Sequence, residues 1–117
     1  MKQIFLALMA LGAAPVWADA PQAIDVTVTA SGDTARFDVT ITHPDTGWDH
    51  YADGWEVLAA DGTRLGMREL VHPHVDEQPF TRSLSGVVIP AGATAVMIRT
   101  RCNVDGWSAD TVTVALP

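Results

Sequence analysis

Residues 24–42 read IDVTVTASGDTARFDVTIT, and this stretch decides the fold class. Ile24, Val26 and Val28 fall on one face of an extended chain, opposite Asp25, Thr27 and Thr29; Phe37, Val39 and Ile41 likewise share one face of residues 35–42. A period of two sends successive side chains to opposite faces, so each run predicts a strand with one face buried. Ser31-Gly32-Asp33 between them carries turn chemistry.

The same pattern recurs outward from this pair. Residues 55–59, 64–71, 80–84, 95–101 and 111–116 read as further strands, with Asp61-Gly62 as a hairpin signal and Pro90-Ala91-Gly92 punctuating the penultimate connection. No stretch longer than a few residues has helical periodicity. About seven short antiparallel strands, each with one apolar face, predict an all-β, immunoglobulin-like or fibronectin-like two-sheet sandwich. The Cys-Trp-Cys pattern of antibody-type domains is missing, because the sequence has a single cysteine.

Ahead of the strands, Lys2 and the apolar residues 4–14 have the form of a secretory signal peptide, assigned to residues 1–18 with cleavage after Ala18. Cleavage after Ala20 would place Pro21 next to the cut. The apolar run is shorter than the roughly 20 residues a bilayer demands. The expected product is one domain, residues 19–117, periplasmic or secreted, with no membrane insertion after cleavage. Cys102 lies far from the signal, so lipid attachment beside it is not expected.

Without Lys2 the chain carries six arginines against fourteen acidic residues, a net charge of −8. Nucleic-acid affinity comes from cationic neutralisation of phosphates, so nucleic acid and anionic membrane surfaces are excluded as partners. A lone cysteine in an oxidising compartment has no intrachain partner; it is buried, ligating or paired with another chain.

Residues of functional type collect in three segments: 43–51 (HPDTGWDHY), 72–74 (HPH) and 101–107 (RCNVDGW), which hold all four histidines and the cysteine. His72 and His74, two apart, can present their imidazoles side by side, and imidazole serves iron, copper, zinc or nickel. A solvated His-x-His pair is the blander reading. Cys102 falls in step with Val96 and Ile98, which favours a core thiol over a reactive one. Trp55 reads as core. Trp48, Tyr51 and Trp107, in or beside glycine-containing loops, are candidate partner-binding residues.

His43-Pro44, His50-Tyr51, Trp55 and Cys102-Asn103-Val104-Asp105-Gly106 together resemble the superoxide reductase (desulfoferrodoxin) family, whose pattern is His-Pro, His-Tyr, a nearby Trp and then Cys-Asn-x-His-Gly. The resemblance spans roughly residues 35–110 and implies an immunoglobulin-like fold with an iron held by four histidines and one cysteine. His43 and His50 match histidine ligands and Cys102 the thiolate; Asp105 stands where the family has its last histidine. His43-Pro44-Asp45-Thr46-Gly47 also resembles a segment of the immunoglobulin-like subunit of the thiosulfate-oxidation sulfur carrier.

Three functions are therefore in competition. The first is a noncatalytic binding module whose loops present Trp48, Tyr51 and Trp107 to a periplasmic or extracellular protein or a small ligand. The second is a transition-metal (Fe, Cu or Zn) binding or delivery protein using His43, His50, His72, His74, Cys102 and Asp105. The third is a superoxide-reductase-like iron enzyme, against which the acidic field counts, since it repels an anionic substrate. No nucleophile elbow or spaced carboxylate pair points to hydrolysis.

Overall fold

The computed structural model describes residues 20–117, so the signal peptide assigned to residues 1–18 lies outside the described residues. Eight strands follow one another: β1 (Gln22–Ser31), β2 (Thr34–Thr42), β3 (Ala52–Leu58), β4 (Arg64–Glu69), β5 (Phe80–Val88), β6 (Ala95–Cys102), β7 (Gly106–Trp107) and β8 (Val112–Ala115). One sheet has the order β1-β2-β5. The other runs β4-β3-β6-β7, with β8 pairing the first half of β6. Every pairing is antiparallel, and the result is the expected two-sheet sandwich.

Alternation decides which residues enter its core. Phe37, Val39 and Ile41 of β2 are fully buried, as are Trp55 and Val57 of β3 and Val96 and Ile98 of β6. Phe80 and Val87 of β5 and Leu70 join the same core cluster. β1 departs from the simple pattern. Ile24, expected inside, is exposed, while Ala23, Val26 and Val28 pack against the core. A register break between Ala23 and Asp25 explains the change: one extra residue in the strand reverses the facing of everything on one side of it.

β3 is sealed on both faces. Its outward residue Glu56 lies opposite Arg99 of β6 and Met67 of β4 and is almost wholly covered. Arg64 Nε donates to Glu56 Oε1 at 2.8 Å and Arg99 Nε to Oε2 at 2.7 Å, so the covered carboxylate keeps charged partners. Trp107, expected in a loop, forms β7 instead and is half-buried, with the guanidinium carbons of Arg64, Arg99 and Arg101 5.0–5.4 Å from its ring centre. Cation–π attraction and the ladder to Arg101 thus hold it against the sheet.

The registers bring three loops to one end of the sandwich. Ala52 pairs Cys102, so the start of β3 meets the end of β6; Gly54 pairs Glu69, and Ile41 pairs Phe80. The connections 43–51, 70–79 and 103–105 therefore share that end. They contain all four histidines, and Cys102 sits at the root of the third.

Candidate metal centre

The β6–β7 turn is a three-residue hairpin loop, Asn103 to Asp105, closed by Gly106 at φ 76°, a conformation that glycine adopts without strain. This geometry turns the Asp105 backbone N–H onto the Cys102 sulfur at 3.3 Å. Asn103 stitches the turn to the 43–51 loop: its Oδ1 accepts from the Tyr51 N–H at 2.8 Å, its Nδ2 donates to the Trp48 carbonyl at 3.0 Å, and its own N–H donates to the Tyr51 carbonyl at 3.1 Å. Within that loop, Thr46 N–H donates to the His50 carbonyl and His50 N–H to the Gly47 carbonyl, a tight turn that aims His50 back at β6.

One ligand nitrogen each from His43 and His50 and the Cys102 sulfur lie within 4.8 Å of one another. His50 Nε2 is 3.7 Å from Cys102 Sγ. Ligands bound at about 2.0–2.3 Å to one ion with open angles are separated by roughly 3.3–3.8 Å, so this pair already has the spacing of a shared metal. The His43 and His50 rings meet edge to face at 4.8 Å. His43 and Cys102 are buried, and His50 is the one of the three with solvent access.

Asp45 organises the centre. Its side chain is fully buried, and His43 Nδ1 lies 2.6 Å from its Oδ1. The carboxylate only accepts, so Nδ1 carries a proton, and in the neutral imidazole this leaves the lone pair on Nε2. That buried Nε2 has no hydrogen-bond partner in the protein. A carboxylate holding the far nitrogen of an imidazole whose near nitrogen is unpaired is the usual outer arrangement of a metal-binding histidine. Oδ1 also accepts from Ala52 N–H at 3.0 Å, and Oδ2 from His74 N–H at 2.8 Å. Gln78 adds a second tie, accepting from the His43 N–H and donating to the His74 carbonyl.

The remaining candidates fall elsewhere. His72 and His74 do lie side by side, ring centres 4.6 Å apart, but outside the His43–His50–Cys102 group. His74 stacks on Phe80 at 3.8 Å and faces Arg82, whose guanidinium is 2.8 Å from Nε2. A guanidinium only donates, so Nε2 accepts and the ring is neutral, with its proton on a buried Nδ1 that has no partner in the protein. Asp105 reaches the group from one side only, Oδ2 lying 3.8 Å from the Cys102 sulfur. Trp48 is exposed and packs edge to face on Tyr51 at the rim, beside an open groove lined by Gly47 and residues 72–77.

Burial holds the His74 imidazole below the ordinary histidine range, with the Arg82 and His72 charges acting the same way. The folded state therefore favours neutral His74, whereas the unfolded chain takes up a proton near pH 6.5. Its contribution is complete above that pH and is lost as pH falls through the lowered folded value. Urea unfolding at a series of pH values from 7.5 to 5 should show His74→Phe, which keeps the ring stack, losing less stability on acidification than the parent. The difference in slope should not exceed ~1.4 kcal/mol per pH unit, and parallel profiles would refute the assignment.

Sequence reasoning missed Asp45, Asn103, Gln78 and Arg82 as supporting residues. Only Asp45 had a local clue, standing two positions after His43 and hence within reach of the same side. The five-ligand iron site of the superoxide reductases is not assembled here: among the described residues two imidazoles and one thiol converge, and Asp105 is turned onto the sulfur. The residues present fit a three-ligand transition-metal ion.

A protein named "Putative lipoprotein" from Halomicrobium mukohataei is 41% identical over 92 residues, which cover 78% of this chain and 45% of that protein. The chain thus spans less than half the length of this relative. No family model matches the chain, and a search of solved structures finds no significant match.

Proposed function

We propose that this chain is a transition-metal-binding domain of an exported protein, with His43, His50 and Cys102 as its ligands. The observation that carries the reading is the buried, unpartnered His43 Nε2, oriented by Asp45 and grouped with a second imidazole and a thiol. An empty core would leave that nitrogen desolvated without compensation, at a cost of roughly 1–3 kcal/mol; an ion turns the same atom into a ligand. Export is supported by the signal pattern of residues 1–18 and by the lipoprotein name of the relative. A periplasmic or secreted location follows from that reading.

The convergence moves metal binding ahead of the noncatalytic module. That module keeps one specific support, exposed Trp48 packed on Tyr51 beside the 72–77 groove. The test is metal content. Residues 19–117, purified without a histidine tag after growth with iron, copper and zinc, should carry close to one transition-metal ion per chain by elemental analysis. The triple variant His43→Ala/His50→Ala/Cys102→Ser should carry none. A metal-free parent that also fails to take up any of these ions in vitro sinks the proposal, whereas metal retained by the triple variant moves the site elsewhere.

A further inference from the structure

Resting on that reading, we infer that the ion is copper, held in a three-coordinate site by two nitrogens, His43 Nε2 and His50 Nε2, and one sulfur, Cys102 Sγ. The donor set is two borderline imidazoles and one soft sulfur, the combination that selects copper when the geometry is trigonal. Zinc in structural sites takes four protein ligands; among the described residues a fourth does not join the group, so zinc here would need water as its fourth ligand. Hard ions such as magnesium, calcium or manganese require oxygen ligands. The single nearby carboxylate, Asp105, lies against the sulfur, and its backbone N–H donates to the same sulfur.

The framework also suits an ion whose two oxidation states prefer different geometries. Cys102 is fixed by the ladder to Ala52, His43 directly follows β2 in the opposite sheet and is locked by Asp45 and Gln78, and the Asn103 bonds pin the loop carrying His50. Ligands drawn from both sheets cannot rearrange without disturbing the core. Two of the three are buried, so copper enters and leaves on the His50 side.

Copper sulfate titrated into the metal-free, reduced domain should produce an intense visible thiolate-to-copper(II) charge-transfer band that saturates at one equivalent. Cys102→Ser should abolish the band, and His72→Ala should leave it unchanged. Copper(I) affinity, measured anaerobically by competition with a chromophoric chelator, should fall by ~100-fold or more in Cys102→Ser. Parallel titrations with zinc and cobalt separate the two levels of the argument. Zinc or cobalt bound through the three residues, with no charge-transfer band and copper(I) affinity unchanged in Cys102→Ser, overturns copper and leaves the metal site standing. Failure of every ion to bind overturns both.

Discussion

Asp45→Ala is expected to cost about 3–5 kcal/mol of folding stability and to remove metal binding together with it. The carboxylate is completely covered and receives three donors, His43 Nδ1 at 2.6 Å, Ala52 N–H at 3.0 Å and His74 N–H at 2.8 Å. Hydrogen bonds to a charged group contribute about 1.5–3 kcal/mol each, and a donor left buried without a partner costs about 1–3 kcal/mol. The three losses share one group and do not add in full. Against a domain stability of about 5–15 kcal/mol, the variant should still fold, with a much lower denaturation midpoint.

Asp45→Asn separates the two consequences. Its amide keeps the shape but turns an amide nitrogen, itself a donor, toward one of the three donors, so it should lose about 1–3 kcal/mol. With a neutral amide oxygen in place of the carboxylate behind His43 Nδ1, the imidazole is a weaker ligand and metal affinity should drop by about 10–100-fold. Urea unfolding monitored by far-UV circular dichroism, paired with metal titration, measures both. A parent-like midpoint for Asp45→Ala would mean that the carboxylate does not knit the 43–51 and 70–79 loops together.

The other large effect belongs to the core. Trp55→Ala should cost about 3–5 kcal/mol, because the indole is fully buried in β3, a strand paired on both sides. Trp55→Phe should be far milder, at about 1.5 kcal/mol or less. The phenyl ring retains most of the packing, and the substitution removes an indole N–H that finds no acceptor in the protein. Equal losses for the two variants would show that the N–H, rather than ring volume, is what the core needs at this position. Trp48 and Trp107 remain as fluorescent reporters in both variants.

Much of the sandwich was legible because its signal is local. The alternation through residues 35–42 and 95–101 placed Phe37, Val39, Ile41, Val96, Ile98 and Cys102 inside, as observed. Ile24 came out wrong because a bulge reverses facing without leaving a mark in the pattern of residue types. β7 was unreadable for a different reason: two residues cannot display a period, and Trp107 is held by arginines on β4 and β6.

By itself, then, the sequence determined the fold class and the three segments in which polar chemistry gathers, since both follow from side-chain period or composition over a few neighbouring residues, and it favoured burial of Cys102 without deciding it. Tertiary structure decided which histidines meet. His43 and His50 approach Cys102 because the β3–β6 register sets Ala52 opposite Cys102, across about fifty residues of chain. His72 and His74, equally suited as ligands by spacing, lie elsewhere: His74 is drawn to Phe80 and Arg82, and the His72 ring lies against His74. Imidazoles are interchangeable as residue types. Strand register and the Asp45 hydrogen bonds, both long-range, give one pair of them a common point in space.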